Sequence, residues 1–178
     1  MKTRDLALAS LFAALTAICA QMIVSIGAVP VSLSLLPVLI GAALLPVHDA
    51  VMSMAAYILM GLAGLPVFSG FSGGPGKVFG VTGGYIIGYL PCVITAALLC
   101  RKSRGYIGLC VSLACGVLTC YMFGTLWFMI LRHCSLRAAL LTCVIPFLPF
   151  DFLKVMAAAL LAEKVYPVLY HRPMHRKE

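Results

Sequence analysis

Charge is what this sequence has least of. Only 10% of its 178 residues are Asp, Glu, Lys or Arg, while 63% are hydrophobic and mean hydropathy is +1.09. A soluble domain carries about 25% charged residues, so the composition excludes a water-soluble globule and describes an integral membrane protein. Catalytic and metal-binding signatures are missing too. Eight cysteines are present, but none stands in a CxxC pair, so zinc or thioredoxin-like chemistry has no spacing to support it. Within apolar runs, cysteine behaves as a small hydrophobe. His171 and His175 stand four apart without the Glu that a zinc-protease helix needs. His48 and His133 fall in loops, and the Ser and Thr residues of the apolar runs have no evident His partner. The run GFSGGPGK at 70–77 fails the phosphate-loop pattern, because Phe71 stands where Gly is required and Val78 where Ser or Thr is required. No internal repeat or low-complexity segment is evident. The sequence offers no case for catalysis, for a cofactor or for a bound metal, and any dependence on ATP must come from partners.

What is present is a series of apolar runs. A helix needs roughly 20 apolar residues to cross a bilayer, so the chain has room for about five or six crossings in a single transmembrane domain over 1–178. The spans fall at 6–26, 33–45, 50–65, 81–99, 105–131 and 138–165. The second contains Pro37, which predicts a kink, and the sixth is broken near Pro146 and Pro149. Residues 27–32, with Pro30, read as a turn, 46–49 as a tight polar connection, and 166–178 as a basic tail. Lys2 and Arg4 before the first apolar run imitate a signal peptide. Asp5 among them, and the lack of a secreted domain, favour an uncleaved first crossing instead. Net charge is +8, and the basic residues gather at span ends, which is an orientation signal rather than a nucleic-acid surface. One side collects both termini and Lys2, Arg4, Arg101, Lys102, Arg104, Lys164, Arg172, Arg176 and Lys177; the other has Lys77, Arg132 and Arg137. Excess Lys and Arg mark the cytoplasm, so both termini are expected inside the cell membrane and the 66–80 loop outside it.

The glycine-dense run GLPVFSGFSGGPGKVFGVTGGYIIGY at 64–89 exposes backbone N–H and C=O groups. In a membrane such backbone is tolerated only where it is buried in protein or lines a cavity, so this run points to a binding site. Asp151 and Lys154 belong with it. They stand three apart in PFLPFDFLKVMAAAL and share a helix face. Ionisable groups inside a span face a cavity or each other, so the two either neutralise one another or bind a small polar solute. The prolines before them loosen the helix start, which frees backbone donors for a ligand. Thr82, Gly83, Gly84 and Tyr85 open the fourth span. The paired glycines allow close approach of a ligand or of a neighbouring helix. Tyr85 and Tyr89 share a face and either line a pocket or anchor the chain at the interface. Lys77 either contacts an anionic ligand or is a solvated loop residue. Ala9, Ala13 and Ala17 recur every four residues and make a flat face that packs inside the protein or against a partner subunit.

In chain order, VPVSLSLLPVLIGAALLP, GLPVFSGFSGG, TGGYIIGY and PFLPFDFLK resemble the BioY family, the biotin-specific S components of energy-coupling factor (ECF) transporters. The resemblance covers essentially the whole chain. It departs at Phe150, where the family has Gly before the intramembrane Asp, and at Val81, where the family has Pro. It departs again at Ser32 and Ser34, where the family has Thr and Gln. The resemblance implies an all-α, ECF S-component-like fold of six transmembrane helices with a pocket near the outer face. It implies a lid in the 66–80 loop with Gly73, Gly74 and Lys77. It implies a site of Asp151, Lys154, Thr82, Gly83, Gly84 and Tyr85, and a partner face of Ala9, Ala13 and Ala17 that meets a transmembrane T component. The T component couples to two cytosolic ABC ATPases. The ligand would be biotin, whose ureido N–H groups suit Asp151 and whose oxygens suit Lys154. An S component for another vitamin, or a structural membrane subunit, is the alternative expectation.

Overall fold

The structure is a computed structural model and describes residues 3–26, 29–102 and 105–170. Lys2, Gly27, Arg104, His171, Arg172, His175, Arg176 and Lys177 lie outside the described residues. Nine helices and one β-hairpin account for what is described. Each expected span corresponds to a helix or a broken helix, in order: α1 (Thr3–Gln21), α2 (Leu35–Leu44), α3 (Val47–Leu62), α5 (Gly83–Ile87) with α6 (Tyr89–Cys100), α7 (Tyr106–Arg132), and α8 (Leu136–Cys143) with α9 (Leu148–Tyr170). A one-turn helix, α4 (Pro75–Val78), interrupts the glycine-rich loop.

Among the described residues, α1, Gly83–Cys100 and α7 are long and apolar enough to cross a membrane, and α8 with α9 form a fourth such unit bent by 57°. Helices α2 and α3 are apolar but short, with 10 and 16 residues. Many large apolar side chains face outward, although Leu39, Met54, Tyr57, Phe68, Leu109 and Leu113 are buried. On α7, Ile107, Val111, Leu118, Met122 and Leu126 form an exposed stripe, a surface that suits lipid rather than water. Small residues make some of the closest inner contacts, as expected where close backbone approach drives helix pairing. A Cβ on Gly116 of α7 would lie 2.8 Å from the Cβ of Ala96 on α6.

Four expectations are corrected. The first helix ends at Gln21, and Ile23–Ile26 forms β1, antiparallel to β2 (Val29–Ser32), with Ile23 opposite Ser32 and Ile26 opposite Val29. The two segments are rich in β-branched Ile and Val, which fit a strand better than a helix turn, and Pro30 is tolerated because every strand of a two-stranded ribbon is an edge. Pro37 makes no kink. It sits in the first turn of α2, where its missing N–H has no intrahelical role. The polar connection shrinks to Leu45 and Pro46, because His48 and Asp49 already belong to α3. Asp49 in that first turn suits the helix dipole and pairs with His48 Nδ1 at 3.2 Å.

The fourth correction concerns the end of α9. It continues through Pro167 to Tyr170, past the point where a basic tail was expected. Its last turn is held from three directions. Tyr170 donates its hydroxyl to the Leu44 carbonyl at 3.0 Å, the Arg4 guanidinium lies 5.2 Å from the centre of the Tyr170 ring, and Arg4 donates to the Leu169 carbonyl.

Candidate functional site

The break before α9 is written in two prolines. Pro146 falls in the connection after α8, and Pro149 sits in the first turn of α9, where a proline costs no helical hydrogen bond. Restarting the helix there puts Asp151 in its first turn, at the end where a carboxylate is favoured by the helix dipole. Lys154 follows one turn later on the same face. Both are buried, at 6% and 7% exposure, far from the usual state of charged residues.

They are buried as part of a hydrogen-bonded chain. Lys154 Nζ donates to Asp151 Oδ1 at 2.8 Å and to the Ser32 carbonyl at 2.8 Å. Tyr121 of α7 donates to Asp151 Oδ2 at 2.5 Å. Ser32 Oγ and Ser34 Oγ are 2.7 Å apart, and Ser34 Oγ lies 2.6 Å from the Tyr89 hydroxyl. Unpaired charges are not sustainable in such surroundings; here each is paired and further hydrogen-bonded.

The network forms part of the wall of a cavity of about 420 Å3, within the range of small-molecule sites. Apolar and aromatic side chains make most of the wall, among them Tyr57, Phe68, Val81, Ile86 and Phe128. Asp151, Lys154, Tyr85, Thr82 and Lys77, picked out from the sequence, all reach this cavity, and so does Tyr89. Phe150 is not on its wall, whereas Val81, Ser32 and Ser34 are.

The glycines do something else. A Cβ on Gly83 would lie 1.7 Å from the Val78 carbonyl oxygen, and one on Gly84 would lie 2.2 Å from the Trp127 Cβ. Of the two alternatives left open, close packing is what the structure gives them. Gly73 packs against the Leu65 carbonyl at 2.3 Å by the same measure, and Gly74 holds a positive φ of 88° as the residue before α4. Neither is on the cavity wall. Ala9 and Ala13 are buried, and Ala13 packs with Tyr57, Ile58 and Phe68, with Ala17 beside them. Ala9 and Ala13 of the alanine face are therefore taken up by contacts inside the chain, while Ala17 is half-buried.

Tyr121 and Arg132 were missed. Both line the cavity from α7. With Val117 and Phe128 they fall at 117, 121, 128 and 132, a single helix face, and that spacing was the available signal.

The family model described as "BioY family" matches residues 1–171. The chain belongs to the BioY family. It is 36% identical to the probable biotin transporter BioY of Pyrococcus horikoshii over 93% of this chain and 98% of the relative. It is 32% identical to the biotin transporter BioY of Thermotoga maritima over 89% of this chain and 94% of the relative. Its fold is that of the S-component for biotin from an ECF-type ABC transporter, known from a crystal structure, with a TM-score of 0.87 at 23% identity over 96% of this chain and 97% of the other. The expected fold class is thus borne out: this BioY-family chain is a helical membrane protein with the S-component architecture.

Proposed function

We propose that the chain is the substrate-binding S component of an ECF-type biotin uptake transporter. It captures biotin on the outer side and delivers it to the cytoplasm with a transmembrane T component and two ABC-type ATPases. The observation that carries this reading is the buried Asp151–Lys154 pair, bonded to Tyr121 and Ser32, on the wall of a largely apolar cavity in a BioY-family chain.

Biotin presents a ureido ring with two N–H donors and one carbonyl, an apolar bicycle and a carboxylated tail. A carboxylate oxygen has two acceptor sites, so Asp151 retains acceptor capacity beyond Lys154 and Tyr121 for the ureido N–H groups. Lys154 donates twice within the protein and has a third proton for the ureido carbonyl. Tyr57, Tyr85, Tyr89 and Phe68 supply apolar area for the bicycle. The 66–80 loop closes over the ligand. All six helical units cross the membrane, with both termini in the cytoplasm as the distribution of Lys and Arg favours.

Labelled biotin titrated against the purified, detergent-solubilised protein tests the reading, with Asp151→Asn beside it. Saturable binding in the wild type and a loss of at least about thirtyfold in the variant are expected, since truncating a buried charged partner costs roughly 2–5 kcal/mol. Absence of binding in the wild type, or unchanged affinity in Asp151→Asn, overturns it.

A further inference from the structure

The cavity holds more positive charge than its hydrogen-bonded network uses. Asp151 and Lys154 neutralise one another at 2.8 Å. Two more cations line the same wall, Lys77 of α4 and Arg132 at the end of α7. Neither side chain has a hydrogen-bond or ion-pair partner among the described residues. The other described acids, Asp5, Asp49 and Glu163, are not on the wall. A cavity with low-dielectric walls focuses such a field and raises the local concentration of the opposite charge.

The two polar regions are also set apart. Tyr121 and Arg132 lie on one face of α7 eleven residues apart, which is about 16 Å along a helix axis. Phe128 lies between them on that face, so an apolar stretch of wall separates Tyr121, bonded to Asp151, from the guanidinium. Helical side chains lean back toward the helix N-terminus, which brings the guanidinium down toward the cavity. Arg132 is exposed and Lys77 is half-buried, whereas Asp151 and Lys154 are buried. Lys77 stands three residues before Gly80, whose carbonyl accepts from Trp127 of α7 at 3.0 Å, so its segment meets α7 on the Arg132 side of Tyr121. The buried part of the wall is hydrogen-bonding and electrically balanced, and the part toward Arg132 is more exposed and cationic.

We infer that Arg132 and Lys77 form an anion-reading mouth that binds the ligand's terminal carboxylate, so that the ligand enters ureido ring first and its charge is read at the outer end. This rests on the biotin reading above and adds to it an orientation and a specificity. The site takes an amphiphile with a neutral polar head and a carboxylate tail, and binds the same molecule more weakly once its charge is removed. Arg is suited to this, since its planar fork binds a carboxylate through two parallel hydrogen bonds.

The test compares biotin with biotinamide, which keeps the ring and tail but not the charge, by isothermal titration of the intact protein. The wild type is expected to prefer biotin by about tenfold or more, the scale of hydrogen bonds to a charged group. The double variant Lys77→Gln with Arg132→Gln is expected to lose biotin affinity, keep biotinamide affinity, and so bring the ratio close to one. Arg132→Lys alone, which keeps the charge, is expected to retain a preference for biotin. Equal binding of biotin and biotinamide by the wild type, or a ratio unchanged in the double variant, overturns the inference and leaves the transport reading intact. No biotin binding by the wild type overturns both.

Discussion

Tyr121 of α7 donates its hydroxyl to Oδ2 of Asp151 at 2.5 Å, while Lys154 occupies Oδ1 at 2.8 Å. Each carboxylate oxygen thus has one donor from the protein, contributed by a different helix, and the carboxylate is fixed in orientation before a ligand arrives. Tyr121→Phe removes one of those donors without changing shape. A buried acceptor left short of a partner costs about 1–3 kcal/mol. We expect the melting temperature of the ligand-free protein to fall and biotin affinity to weaken by roughly tenfold, read by differential scanning fluorimetry and calorimetric titration. Unchanged values in both would show that the hydroxyl does not hold Asp151.

The direction of the ion pair is a separate matter from its existence. Position 151 faces Tyr121 and position 154 faces the Ser32 carbonyl. Exchanging both residues, Asp151→Lys with Lys154→Asp, keeps two opposite charges three residues apart but turns the carboxylate toward a carbonyl oxygen. We expect the double variant to reach the membrane and to bind no biotin at concentrations that saturate the wild type. Near-normal affinity would mean that the two groups serve only to neutralise each other.

Gly84 separates packing from ligand contact. With its Cβ position 2.2 Å from that of Trp127, Gly84→Ala forces α5 and α7 apart, and overpacking of this kind costs about 1–3 kcal/mol. Trp127 also donates its indole N–H to the Gly80 carbonyl at 3.0 Å, so the loop below α5 moves with it. The expected result is a lower melting temperature by a similar amount with and without biotin. A variant that melts normally when empty but binds poorly would instead assign Gly84 to the ligand.

What was legible in the sequence follows from contrast. Asp151 and Lys154 stand out because an ionisable group in an apolar run is costly and needs a reason. The helical units stand out for their hydropathy, and the break before α9 for its prolines. Tyr121 did not stand out, because a tyrosine among Leu, Cys and Met reads equally well as an interfacial anchor. Arg132 was hidden by its other meaning, since a cation at the end of a span is an orientation signal first. The hairpin was lost because Ile23–Ile26 continues the apolar run of α1, so hydropathy carried the span past the real helix end. Ala9, Ala13 and Ala17 showed a flat face but not what covers it; that depends on α3, which no local pattern places.

Gln21, the last residue of α1, ties that helix to the 66–80 loop, which lines the cavity through Phe68, Ser69 and Lys77. Its amide nitrogen lies within hydrogen-bond distance of the carbonyls of Ala17, Pro66 and Phe68 at 3.3, 3.2 and 3.1 Å, and its amide oxygen accepts from the Phe71 N–H at 2.8 Å. The segment it holds includes Phe68, which is 1% exposed, lines the cavity and stacks edge-on against Tyr57 with ring centres 5.5 Å apart. Gln21→Ala releases the loop backbone but leaves Phe68 in its place against Gly61, where a Cβ would come within 2.0 Å of the ring. The lid should therefore open more often rather than unfold. Each net hydrogen bond contributes about 0.5–1.5 kcal/mol, and changes of this kind fall mainly on dissociation. We expect labelled biotin to leave the variant roughly five to fifty times faster in a chase experiment, with the association rate altered much less. Gln21→Glu should be worse than Gln21→Ala, because a carboxylate there would face carbonyl oxygens from both the helix and the loop. Dissociation at the wild-type rate in both variants would mean that Phe68 alone keeps the loop closed.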